Sequence, residues 1–196
     1  MARFAIAYAS SEGHTRRVSD EVADTIRGHG HLVTVHDVND DSAGAAIAAA
    51  DAVVLAGSIH NGRMQPRMLR FASSQGVSLS ERPGALVIVS MTAASPHPAV
   101  RARLDRYLAS FLTSTPWRPD VVEYVAGALR PSTLGPLRRT LATRLARQLG
   151  IDTRHDLEST DWTAVNRFAD SVARWFPRVG VPTRAPRPRA SVTGRT

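Results

Sequence analysis

The 196-residue chain has no cysteine and no lysine. The first absence excludes disulfides, thiolate metal sites and thiol catalysis; the second makes every basic side chain an arginine. No apolar run is long enough to span a bilayer, and the N-terminus lacks the charged-then-apolar layout of a secretory signal. A cytosolic protein is therefore expected. Acid is lacking in one place: residues 177–196 hold Arg178, Arg184, Arg187, Arg189 and Arg195, with four prolines and no Asp or Glu. This tail carries +5 of the net +8, cannot bury a core and is expected to be disordered. No nucleic-acid motif accompanies it, so no nucleic-acid partner is expected.

What is present begins with a strand-like run, Arg3-Phe-Ala-Ile-Ala-Tyr8, followed by Ala9-Ser10-Ser11-Glu12-Gly13-His14-Thr15 and a helical pattern with Val18, Val22 and Ile26. The first N–H groups of a helix lack intrahelical partners, and its dipole favours negative charge there. Ser10, Ser11 and Thr15 add hydroxyl donors, and Gly13 lets the backbone approach a ligand closely. These features predict a phosphate site. The bland alternative is that Ser10 or Ser11 caps the helix and binds nothing. The run is neither the spaced-glycine dinucleotide fingerprint nor the triphosphate loop, whose lysine is missing, so a phosphate monoester suits it.

Further along, His31–Val38 alternates as a second strand, Asp51–Gly57 and Ala85–Val89 are continuous apolar runs, and Val121–Ala126 supplies a fifth strand. Helical patterns over Ala43–Ala50, Met64–Ser74, Ala99–Leu112 and Thr160–Phe176 separate or follow them. Val165, Phe168, Ala169, Val172 and Trp175 of the last helix, and Met64, Met68, Leu69 and Phe71, are expected core residues. Unbroken apolar strands alternating with helices imply a parallel sheet with helices on both faces: an α/β doubly wound fold. Ligands of such sheets bind beyond the carboxyl ends of the strands, near the switch in strand order. There lie Ser58-Ile59-His60-Asn61-Gly62 and Met91-Thr92-Ala93-Ala94, small polar loops suited to bordering a flat ring. With the first loop, whose hydroxyl–hydroxyl–X–Gly–X–Thr pattern resembles the phosphate loop of flavodoxins, they point to a flavin.

His60 and His97 flank this place, either as proton-moving groups or as solvent-facing loop residues. Arg63 is open to two readings, attraction of an acidic substrate or an ordinary surface charge. His29, His31 and His36 straddle a turn and a strand with no carboxylate at ligand spacing, so no metal is expected. Residues 129–150 form a basic insertion with Leu137, Leu141, Leu145 and Leu149 on one stripe and arginines largely off it. Such a helix either lies on an anionic membrane surface or packs its leucines on the domain.

The phosphate loop, Gly57-Ser58-Ile59, Trp117-Arg118-Pro119-Asp120, Ala126-Gly127-Ala128-Leu129-Arg130, the basic insertion, Asp152-Thr153-Arg154 and Thr160-Asp161-Trp162 together resemble the flavodoxin-type protoporphyrinogen IX dehydrogenases over residues 1–176. The resemblance implies a flavodoxin-like five-stranded sheet, FMN as cofactor, and an oxidoreductase at the inner face of the cell membrane. Such an enzyme removes six electrons from protoporphyrinogen IX in haem biosynthesis and passes them to menaquinone or another respiratory quinone. It further implies that Ser10, Ser11, Gly13, His14 and Thr15 hold the FMN phosphate. Ser58, Ile59, His60, Asn61 and Gly62, with Met91, Thr92, Ala93 and Ala94, would border the isoalloxazine. No catalytic residue is singled out. Glu12 departs from the small hydroxyl residue flavodoxins carry there, and neither ring-bordering loop has an aromatic. The alternative functions are a flavodoxin-like electron carrier, an NAD(P)H:quinone reductase, and a binding module without flavin.

Overall fold

A computed structural model describes residues 1–95, 97–129, 157–158 and 160–175. Its main sheet is parallel: β1 (Arg3–Ala9), β2 (Leu32–Asp37), β3 (Ala52–His60), β5 (Gly84–Ser90) and β6 (Val121–Ala126) lie in the order β2-β1-β3-β5-β6. A sixth short strand, β4 (Arg63–Met64), pairs antiparallel with the end of β3. Setting β4 aside, this is the 2-1-3-4-5 order of the flavodoxin-like fold, which reverses between β1 and β3.

Alternation along β1 splits the core in two. Phe4, Ile6 and Tyr8 face α1 (His14–Gly28) and α6 (Trp162–Trp175), meeting Val18, Val22, Ile26, Val165, Phe168, Ala169 and Val172. Ala5, Ala7 and Ala9 face the opposite layer of α2 (Ser42–Ala49), α3 (Pro66–Ser74), α4 (Gly76–Ser80) and α5 (Pro98–Ser114), with Ile47, Met68, Phe71, Leu79 and Phe111. Alanines on that side let the helices sit close to the sheet. Trp117, fully buried, closes this layer edge-on to Phe111 at 6.2 Å between ring centres. Gly84 makes room for it, since a Cβ there would fall 2.7 Å from the indole.

The main departures from the sequence reading are these. The third helix begins at Pro66 because Met64, still a buried core residue, is spent in β4. The short helix α4 follows it, where the sequence pattern suggested none. The segment after β3 is a hairpin rather than a pliant loop: Asn61 (φ 49°) and Gly62 (φ 74°) turn β3 into β4 with the positive φ pair of a type I′ turn. Leu129 of the expected insertion stands in a two-stranded antiparallel pair, β7 (Ala128–Leu129) with β8 (Leu157–Glu158). The rest of that insertion, the side chain of Trp175, residue 176 and the tail 177–196 lie outside the described residues.

Candidate functional site: the carboxyl edge of the sheet

Strand register brings the three loops to one edge. Ala9 pairs with Gly57, Ser58 with Val89, and Ser90 with Ala126. Ser10, Ser58 and Met91 therefore leave neighbouring strands at similar heights.

In the first loop, Gly13 is the N-cap of α1 in the left-handed conformation (φ 80°), and no side chain caps the helix. The capping role considered for Ser10 or Ser11 is thus excluded. The dipole at this end of α1 favours an anion, and nothing stands within 4 Å of a Cβ built on Gly13. Ser10 Oγ is buried and makes no hydrogen bond to a described residue. An orphaned buried hydroxyl costs free energy unless a further acceptor or donor meets it, so the loop fits a phosphate. Ser11 and Glu12 are exposed, while Thr15 is buried, its carbonyl accepting from Ser19 Oγ at 2.9 Å. Arg16, one turn in, is exposed and 3.7 Å from Asp20.

His14 turns inward. It is only 8% exposed, and its Nε2 lies 3.0 Å from Thr160 Oγ1. The Thr160 hydroxyl donates to the Ala126 carbonyl at 2.8 Å, which leaves its lone pairs to accept from His14 Nε2–H. Trp162 stands edge-on to His14 at 6.2 Å and carries the Arg17 guanidinium over its face at 4.7 Å. Neither Thr160 nor Trp162 is recognisable from sequence as a neighbour of the phosphate loop. Thr160-Asp161 reads there as a helix cap, and Asp161 does cap α6, its Oδ1 accepting from Ala164 N–H at 2.9 Å.

The second loop is the hairpin. Ser58 Oγ accepts from the Gln65 side-chain amide and lies 3.1 Å from His60 Nε2, and Gln65 in turn accepts from Arg67 Nε at 2.7 Å. Ser58 and Ile59 are half-buried; His60, Asn61, Gly62 and Arg63 are exposed. Gly57 keeps the contact close, because a Cβ there would run into the Met64 sulfur and lie 3.2 Å from Met68 Cγ. The third loop is one turn of 3-10 helix, Met91–Ala94, held by Ser90 Oγ at 3.0 Å from Thr92 Oγ1. Met91 is exposed, and Gly127 N–H donates to the Ser90 carbonyl at 3.0 Å. Neither residues 58–62 nor residues 91–94 include an aromatic, but Tyr107 of α5 reaches the hairpin: its Cε1 is 3.9 Å from a Cβ built on Gly62.

The other histidines among the described residues have structural partners. His97 caps α5, its Nδ1 accepting from Ala99 N–H at 3.2 Å. His29 pairs with Asp170 at 2.7 Å, and His36 lies 3.0 Å from Ser42 Oγ. His31 accepts from Ala2 N–H through Nδ1 and approaches the Ala173 carbonyl through Nε2. Among the described residues no group of three or more His, Cys, Asp or Glu converges on a metal position.

Residues 5–156 match the family model described as the flavodoxin domain. The chain belongs to the flavodoxin-domain family. The cofactor of this flavodoxin-family protein is FMN, and the Ser10–Thr15 loop fits its phosphate. Two curated relatives extend the likeness over most of the chain. One, from Leishmania major, is 28% identical over 190 residues, covering 94% of this chain and 78% of its own. The other, from Escherichia coli K12, is 26% identical over 173 residues, covering 86% and 93%. Both are named protoporphyrinogen IX dehydrogenase (quinone). Among solved structures, an NADH:FMN oxidoreductase in its apo form aligns with a TM-score of 0.56 at 14% identity, covering 96% of this chain and 98% of that one. That likeness concerns the fold alone.

Proposed function

We propose that this flavodoxin-family chain is an FMN-dependent oxidoreductase that converts protoporphyrinogen IX to protoporphyrin IX and delivers the electrons to a respiratory quinone. The observation that carries this reading is the pairing of a phosphate-ready first loop with relatives so named over most of the chain. FMN supplies two-electron redox chemistry when bound, and three such rounds account for the six electrons and six protons the porphyrinogen must lose.

The chain's own residues position and exclude. The α1 N-terminus and Ser10, Ser11 and Thr15 would hold the phosphate, with His14 fixing the loop from beneath through Thr160. The hairpin 58–62 and the turn 91–94 would border the ring, the hairpin made stiff by its type I′ turn and the Ser58–Gln65 bond. With no aromatic of its own in either loop, and Tyr107 meeting the hairpin only at Gly62, the border would leave the ring open to a bulky macrocycle. Arg63, exposed at the hairpin, suits a substrate bearing carboxylates. Among the described residues no helix is long and apolar enough to cross a membrane. Contact with the quinone-bearing bilayer would fall to the basic insertion 129–150, whose arginines suit anionic headgroups.

The deciding experiment is anaerobic. After reconstitution with FMN, protoporphyrinogen IX should bleach the flavin band, and a menaquinone analogue should restore it. A protein that binds FMN but stays oxidised with the porphyrinogen would lose the substrate assignment. Steady consumption of NAD(P)H with a quinone would instead identify a general quinone reductase.

A further inference from the structure

Beside the third loop a cleft of about 330 Å³ runs along the outer edge of β6 toward the start of α6. Ala93 and Ala94 of the 3-10 turn form one end, so it opens next to the turn proposed to border the flavin ring. Ala126 and Asp161 adjoin the other wall, and the Thr160 hydroxyl between them ties this wall to His14 of the phosphate loop. Ala164 of α6 and Glu123 of β6 complete the part that matters here.

The cleft has a definite chemistry. Six of its lining residues, Ala93, Ala94, Val125, Ala126, Ala164 and Val165, are small and apolar, and Glu123, Tyr124 and Asp161 add polar groups. Glu123 points to the α6 face and is half-buried; desolvation raises its pKa above the ordinary glutamate value, opposed by Arg101 of α5 and Arg167 of α6. Asp161 is already engaged, capping α6 and lying 4.0 Å from Arg167. A space this small does not admit four pyrrole rings with their substituents, and Arg101 and Arg167 beside the two carboxyls leave the cleft close to neutral. An uncharged, planar one- or two-ring molecule suits both the volume and the charge.

We propose that this cleft receives the head group of the electron-accepting quinone, leaving the open face at the hairpin to the reduced substrate. The inference rests on the proposed function above. Two substrates then meet one cofactor from different sides. Glu123, whose carboxyl keeps its proton to a higher pH than a solvated glutamate, stands where a quinone that gains two electrons also needs two protons.

The test uses the FMN-loaded full chain, photoreduced without any porphyrinogen, and follows flavin reoxidation by stopped flow. Ala164→Trp fills the cleft from the helix side; Ala164→Leu is a milder version should the tryptophan impair folding. With an uncharged naphthoquinone the reoxidation rate constant should fall by at least about tenfold in the filled variants, equivalent to ~1.4 kcal/mol. Reoxidation by ferricyanide and the affinity for FMN should be unchanged. Glu123→Gln should narrow the preference for the uncharged naphthoquinone over a sulfonated one. An unaltered naphthoquinone rate in both folded Ala164 variants overturns the proposal. So does a matching loss of FMN affinity, which would make the cleft part of the cofactor site. If the unmodified holoprotein is not reoxidised by any quinone, it is the proposed function that fails.

Discussion

The imidazole of His14 and the hydroxyl of Thr160, 146 residues apart, are joined by a 3.0 Å hydrogen bond. That bond fastens the Ser10–Thr15 loop to the point where the chain returns from β8 to enter α6. Because Thr160 also donates to the Ala126 carbonyl, one side chain braces the ends of β1 and β6.

Thr160→Val keeps the shape and removes both bonds. The half-buried site should lose about 1–3 kcal/mol, the usual cost of leaving buried partners unmatched. For a chain of this size that lowers Tm by roughly 2–4 °C per kcal/mol. Thermal unfolding of the apoprotein reads the loss, and FMN titration should show weaker binding. An unchanged Tm together with unchanged FMN affinity would remove the brace from the account.

Ser11→Asp puts a carboxylate on an exposed loop position that tolerates it. If the loop holds a phosphate, two like charges near 4 Å repel by about 1–4 kcal/mol between water-like and surface dielectric values. The Kd for FMN should rise about tenfold or more, with riboflavin, which has no phosphate, little affected. Equal losses for both ligands would contradict the phosphate assignment.

Gly57→Ala tests the hairpin. The added methyl meets the Met64 sulfur and Met68, both buried in the core behind the turn. Overpacking of this kind costs typically about 1–3 kcal/mol. Chemical denaturation should report that loss, and a double variant with Met64→Ala should recover part of it.

Glu123 carries a pH signature. Its pKa is raised in the folded state, first by desolvation, so the folded protein holds this proton more tightly than the unfolded chain does. Stability from this group is therefore fully present below the ordinary value of 4.5 and declines as pH rises through the folded-state pKa. Glu123→Gln should raise Tm at neutral pH, with the gap closing as the pH falls below that value. A gap that widens on acidification would reverse the assignment.

Asp51 has the opposite sign. The Arg3 backbone N–H, 2.8 Å from Oδ2, lowers its pKa first, and the Arg3 guanidinium adds to it. Its contribution is present above the ordinary value of 3.8 and lost as pH falls through the lower folded value. Both side chains are substantially exposed, so the effect is small. In Asp51→Asn, acid unfolding should be less steep; an identical acid limb would contradict the shift.

By itself, the sequence determined the layers of this protein. The apolar runs of β1, β3 and β5, the fourfold spacing of Val18, Val22 and Ile26, and the Ser10–Thr15 loop are local patterns. Their physics, burial of strands and exposed N–H groups at a helix start, acts within a few residues. Tertiary structure alone decided the rest. The hairpin appeared only once β3 ran past Gly57 and folded back against it, although Asn61-Gly62 carried the turn signal. Thr160 reads as a capping residue until the sheet brings it beneath His14, and Tyr107 is a helix residue until α5 packs under the turn. The cleft at β6 needs three separate segments to line it. Such contacts join residues with no local preference for one another, so only the closing of the sheet and its helices creates them.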